Sequence, residues 1–284
     1  MPQPATNAPI LVVQGPELTA LRAAALSELC QAQEAVALGE HAWRLRGAQH
    51  HEGVAAWCEA HHLDHAWISE ERDFGRIRLL ALDMDSTLIT IECIDELGAF
   101  CNKKAEIAAI TAQAMRGEID YPESLRRRVA LLAGLSEDAL QDVYDDKLRL
   151  SPGAPALLKE CKRHGVKLLL VSGGFSFFAD RLKERLGFDD TLSNMLEIEE
   201  GKLTGRVLGN IVDADAKAAK FRHMAERIGA KRDQTVAIGD GANDLKMMAE
   251  AGISIAWRAK PVVRAQAMHT LDYAGLDGVI HLLD

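Results

Sequence analysis

Ile77-Arg78-Leu79-Leu80-Ala81-Leu82 runs straight into Asp83-Met84-Asp85-Ser86-Thr87. Apart from Arg78, the first six residues are apolar, the pattern of a strand buried on both faces of a parallel sheet. Two further stretches repeat it. Val166–Val171 is followed by Ser172-Gly173-Gly174, and Thr235–Ile238 by Gly239-Asp240-Gly241-Ala242-Asn243-Asp244. Helical patterns lie between and after them, over 154–163, 178–186, 217–228 and 245–251, and a last strand is expected at 253–256. Strand and helix in alternation predict an α/β protein with a doubly wound, Rossmann-like parallel sheet.

Outward from that frame, residues 91–148 are helical throughout, with breaks near Gly117 and at Gly134. Asp120 before Tyr121-Pro122-Glu123 and Ser136 before Glu137-Asp138 are helix-start signals. Glu199-Glu200-Gly201-Lys202 between alternating runs predicts a hairpin. Upstream, 10–13, 35–38 and 42–45 read as strands, and 17–31 and 54–61 as helices, a small α+β module ending near Glu70-Glu71-Arg72-Asp73. The expected organisation is a module over 1–75, a catalytic core over 76–90 and 151–284, and a helical cap over 91–150.

The chain has 284 residues, 48% hydrophobic and 26% charged, which excludes disordered and collagen-like classes. Its net charge of −9 is a poor match for nucleic acid. Residues 1–75 hold four basic against ten acidic residues, and the first lysine is Lys103. No apolar run approaches the ~18–20 residues that span a bilayer. Met1 to Pro9 lacks the features of a signal peptide, and five scattered cysteines without a CxxC fit reduced thiols. A cytoplasmic protein is expected. His61-x₃-His65 has zinc-like spacing, but surface histidines on an acidic module are the simpler reading.

Open α/β sheets bind ligands beyond the carboxyl ends of their strands, so the three polar strand ends should share one site. Carboxylates two apart on an extended segment project the same way, which lets Asp83 and Asp85 address one atom. Adding Asp240 concentrates negative charge that requires a cation. Oxygen-only donors without His or Cys point to Mg²⁺ rather than Zn²⁺. Mg²⁺ beside a free carboxylate suits phosphate-monoester hydrolysis, which needs up to about 10²¹-fold acceleration.

Asp83-Met84-Asp85-Ser86-Thr87 resembles the first motif of the haloacid-dehalogenase-like phosphatases, Ser172-Gly173-Gly174 the second, Lys217 the third and Gly239-Asp240-Gly241-Ala242-Asn243-Asp244 the fourth. The resemblance covers about residues 77–284. Glu92 in Ile91-Glu92-Cys93-Ile94-Asp95-Glu96-Leu97, the segment Tyr121–Val129, and Gly201-Lys202-Leu203-Thr204-Gly205 narrow it to the phosphoserine phosphatases. That likeness implies hydrolysis of O-phospho-L-serine to L-serine and phosphate, the last step of serine biosynthesis, through an aspartyl-phosphate. It implies Asp83 as nucleophile and Asp85 as acid/base. Mg²⁺ would sit on Asp83, the Asp85 backbone carbonyl and Asp240. Ser172, Gly173, Lys217 and Asn243 would hold the phosphoryl group, with Asp244 in support. Glu92 would take the substrate ammonium and Arg128 its carboxylate. Tyr121 departs from the family's usual phenylalanine. In relatives a regulatory amino-acid-binding module often precedes the catalytic region; here a packing or homodimerising role is expected of the N-terminal unit.

The residues alone leave alternatives open. Arg126, Arg127 and Arg128 diverge by about 100° each on a helix, and spacing does not choose among them. Beside a phosphoserine phosphatase stand a related phosphotransferase or sugar phosphatase, and a non-catalytic amino-acid sensor keeping the same fold.

Overall fold

The run ending at Leu82 becomes a strand in the interior of a seven-stranded sheet. The computed structural model describes residues 9–68 and 73–284, so part of the expected module boundary, residues 70–72, and most of the N-terminal segment, residues 1–8, lie outside the described residues.

The first unit comprises β1 (Ile10–Gln14), α1 (Ala20–Leu29), β2 (Glu34–Gly39), β3 (Ala42–Arg46), α2 (Gly53–Ala60) and β4 (Asp64–Ile68). They form an antiparallel sheet of order β2-β3-β1-β4. The two-residue period of β1 splits its side chains. Leu11 and Val13 pack with Leu26, Val54 and Cys58 of the helices, whereas Ile10 and Val12 join the large hydrophobic core of the rest of the chain. Strand β4 is absent from the sequence reading. Its first residue, Asp64, is buried and accepts the backbone N–H groups of Asp272, Tyr273 and Ala274 at 2.7–3.0 Å. A charged strand start is stabilised there by donors more than two hundred residues away.

The second unit opens with β5 (Leu79–Leu82), then α3 (Cys93–Phe100), α4 (Lys104–Met115), α5 (Tyr121–Ala130) and α6 (Asp138–Asp142). Asp120 caps α5, accepting the Glu123 N–H at 2.8 Å, and the Ser136 hydroxyl accepts the Asp138 N–H at 3.3 Å. Then follow α7 (Ala154–Arg163), β6 (Lys167–Phe175), α8 (Ser176–Leu186), β7 (Asp190–Glu199), β8 (Lys202–Leu208), α9 (Ala214–Arg227), β9 (Thr235–Gly239), α10 (Leu245–Glu250), β10 (Ile253–Trp257), α11 (Pro261–Arg264), β11 (His269–Leu271) and α12 (Gly278–Leu283). The sheet order is β11-β10-β9-β5-β6-β7-β8, parallel except for the β7–β8 hairpin. Glu200 and Gly201 at the hairpin turn both have positive φ, as a tight two-residue connection requires.

Alternate residues of β5, β6 and β9 enter two separate cores, one on each sheet face, which explains their unbroken apolar runs. Leu82 pairs with Leu170 on one side and Ile238 on the other. This register brings Asp83, Ser172 and Asp240 to the same edge. Strand β6 does not stop at Val171 as its apolar run suggests. It continues through Ser172–Gly174 to Phe175, with a shift in its pairing to β7 between Val171 and Phe175. The segment α3–α6 is tied to the hairpin by backbone bonds from Gly134 to Leu203 and from Glu137 to Gly201.

Candidate active site

Asp83 stands just past β5, buried, and its Oδ1 accepts a hydrogen bond from Lys217 Nζ at 2.5 Å. Lys217 lies in the first turn of α9, whose start is capped by Asp213 accepting the Ala216 N–H at 2.9 Å. The ammonium is 0% exposed and also donates to Asp244 Oδ1 at 2.8 Å. Burial opposes its charge, but Asp244 and Asp83 outweigh that and hold its pKa above the ordinary lysine value. Asp244 is locked in turn, its Oδ2 accepting the Gly241 N–H at 3.1 Å. A Cβ on Gly239 would come within 2.5 Å of the Asp244 carboxyl carbon, so that position needs glycine. Oxygens of Asp83, Asp240 and Asp244 all lie within 4.8 Å of one another. Asp240 accepts from the Thr87 hydroxyl at 3.3 Å. Burial first, and then Asp244's charge, raises the Asp83 carboxyl and pushes Asp240 up to about 6.

Asp85 faces the same cavity with different partners. Its Oδ1 accepts the Cys93 backbone N–H at 3.0 Å and its Oδ2 the Ser172 hydroxyl at 3.3 Å. Burial raises its pKa against those hydrogen bonds. Beyond it the chain turns through Ser86, whose φ is +57°, and the turn points the Ser86 hydroxyl at Glu92 Oε1, 2.7 Å away. Glu92 is pushed up to about 7, by burial and then by Asp85's charge.

A cavity of about 700 Å³ separates these strand ends from α3–α5, and Asp83, Asp85, Glu92, Arg128, Ser172, Gly173, Asp240 and Asn243 all line it. Lys217 lies beneath, reaching it through Asp83. The structure separates the three arginines: Arg126 and Arg127 are exposed, and Arg127 pairs with Glu123 at 2.7 Å, while half-buried Arg128 borders the cavity. Asp244, read from sequence only as support, sits in the carboxylate cluster, whereas the Asp85 side chain does not. Asn194 was missed altogether; a buried amide within a strand that also carries Leu192 and Leu196 was its one available signal.

A sequence profile of haloacid dehalogenase-like hydrolases matches residues 80–249. A phosphoserine phosphatase of Polaromonas sp. is 52% identical over 211 residues, 72% of this chain and 89% of its own length. The unliganded crystal structure of a probable phosphoserine phosphatase from Vibrio cholerae superposes with a TM-score of 0.84 at 38% identity, covering 97% of this chain and 86% of that one. A phospho-aspartyl intermediate analogue of phosphoserine phosphatase superposes with a TM-score of 0.69 at 35% identity, covering 73% and 99%. The chain belongs to the haloacid dehalogenase-like hydrolases and, within them, to the phosphoserine phosphatase family.

Proposed function

We propose that the chain is an Mg²⁺-dependent phosphatase that hydrolyses O-phospho-L-serine to L-serine and phosphate. The observation that carries this reading is that a buried carboxylate–lysine centre adjoins one cavity that is also lined by a carboxylate, Glu92, and a guanidinium, Arg128. A zwitterionic amino acid needs both: Glu92 takes the ammonium, and Arg128 grips the carboxylate through its planar fork. A sugar phosphate needs neither.

An Asp83 oxygen attacks phosphorus as the bond to the serine oxygen breaks. Asp85, which burial favours in its protonated form, gives its proton to the leaving oxygen and L-serine departs. Water then attacks the aspartyl-phosphate while Asp85 takes a proton back, freeing phosphate and restoring Asp83. Ser172, the Gly173 N–H, Asn243 and Lys217 hold the phosphoryl oxygens. The donors fit Mg²⁺: three close carboxylates, all oxygen, two of them bonded to Lys217. Asp83, the Asp85 backbone carbonyl and Asp240 are assigned as ligands, with Asp244 beside them. When bound, the ion neutralises charge on the transferring group.

In this reading 91–150 is the cap that excludes water, 76–90 with 151–284 the catalytic core, and 1–75 a packing and homodimerising module whose strand β2 ends its sheet among the described residues. Among the described residues no helix is long and apolar enough to cross a membrane; cytoplasmic serine biosynthesis, with no nucleic-acid partner, is the assigned setting. The test is phosphate release from a panel of phosphomonoesters, with and without a chelator. O-phosphoserine should lead the panel, and chelation or Asp83→Asn should stop turnover. Preference for sugar phosphates, or full activity in Asp83→Asn, overturns the reading.

A further inference from the structure

One peptide group in the cavity wall is held in an unusual way. Where β6 passes Gly173 its ladder with β7 is interrupted, between the pairs at Val171 and Phe175. Side chains serve the Gly173 carbonyl there: Asn194 Nδ2 donates to it at 2.8 Å and the Tyr121 hydroxyl at 3.1 Å. The two grips come from different places. Asn194 belongs to the sheet, is 1% exposed, and is itself fixed because its Oδ1 accepts the Val212 N–H at 2.8 Å. Tyr121 is the first residue of α5, so its bond crosses from the helical segment to the sheet. The fit depends on glycine, since a Cβ on Gly173 would collide with the tyrosine oxygen. Burial pushes that phenol up to about 12, which keeps it a neutral donor.

The other end of this peptide group leads to the chemistry. Its N–H, that of Gly174, donates to the Ser172 hydroxyl at 2.8 Å, and that hydroxyl donates to Asp85 Oδ2 at 3.3 Å. A peptide is planar and rigid, so a tilt at the carbonyl moves the N–H at the other end. We propose that the Tyr121 hydroxyl is a latch and positioning group: it completes the alignment of Ser172 and Asp85 when the helical segment lies over the site. The proposal rests on the phosphatase reading above for its chemistry, but not on the identity of the substrate.

The test compares full-length wild type, Tyr121→Phe and Tyr121→Ala with Mg²⁺ present, on O-phosphoserine and on p-nitrophenyl phosphate, which needs no amino-acid contacts. In Tyr121→Phe, kcat should fall about three- to tenfold on both, the factor one neutral hydrogen bond supplies. KM and the thermal midpoint should stay nearly unchanged, and Tyr121→Ala should fall further. Amide exchange at Gly174, which needs no turnover, should quicken in Tyr121→Phe. Wild-type kcat or unchanged Gly174 exchange in Tyr121→Phe would overturn the latch. So would a joint loss of kcat, KM and melting temperature, which marks a merely structural residue. A wild type active on p-nitrophenyl phosphate but not on O-phosphoserine sinks the substrate assignment and leaves the latch to be decided on the aryl ester and the exchange rate.

Discussion

Replacing Lys217 by methionine keeps the length of the side chain and removes the only cation that, among the described residues, is bonded to Asp83 and Asp244, at 2.5 and 2.8 Å. All three side chains are nearly inaccessible, so water cannot take over the ammonium's role. Breaking a buried ion pair by deleting one partner costs about 3–5 kcal/mol. For a chain of this size that is a fall of roughly 6–20 °C in melting temperature. The loss should depend on pH. Without Lys217 the Asp83 carboxyl, which burial and Asp244's charge already hold above its ordinary value, loses the cation that lowers it, so its folded pKa rises further above the unfolded one. The variant's native state then keeps a proton to higher pH than the wild type's, and its stability falls more steeply as pH rises. The gap to wild type should therefore be small near pH 5 and widest at pH 8. Circular-dichroism melts of the two proteins in chelator, at intervals between those limits, measure it. Adding Mg²⁺ should raise the variant's midpoint more than the wild type's, because the ion enters a site short of its own cation. A shift under about 2 °C, less than one kcal/mol on this scale, and independent of pH, would refute the claim that Lys217 balances the cluster.

Three other outcomes follow from the same geometry. Arg128→Ala should raise KM for O-phosphoserine about 10- to 100-fold, the worth of hydrogen bonds to a charged group, and leave p-nitrophenyl phosphate turnover intact; equal losses on both substrates would remove Arg128 from carboxylate recognition. Because Glu92 is held up to about 7, the wild-type KM for O-phosphoserine should fall as pH rises through that value and the carboxylate forms; steady-state kinetics should find this dependence gone in Glu92→Gln, and its persistence would assign it to another group. Asp64→Asn should lower stability by about 1–3 kcal/mol by leaving backbone donors at 272–274 short of an acceptor, with kcat preserved; denaturant titration beside an activity assay checks both halves, and a lost kcat would mean that the first unit reaches the active site.

The apolar runs at 77–82, 166–171 and 235–238 were legible because a strand buried on both faces must be apolar at every position. The polar ends were legible as one site because parallel strands all finish at the same edge. Short or charged elements were not. β11 has three residues, and β4 starts with an aspartate whose donors lie near the other end of the chain. Among Arg126, Arg127 and Arg128 the choice depends on how α5 is rotated, and that follows from Ser124, Leu125 and Val129 being driven into the interior. The grips on Gly173 come from residues 52 positions before it and 21 after it. The sequence by itself determined the sheet, the order of its acidic strand ends and the class of chemistry, since those follow from periodicity and from which groups are charged. Only the tertiary structure decided which arginine faces the cavity, which aspartates crowd together and which peptide is clamped, because orientation and distance across elements arise from packing, to which local spacing is blind.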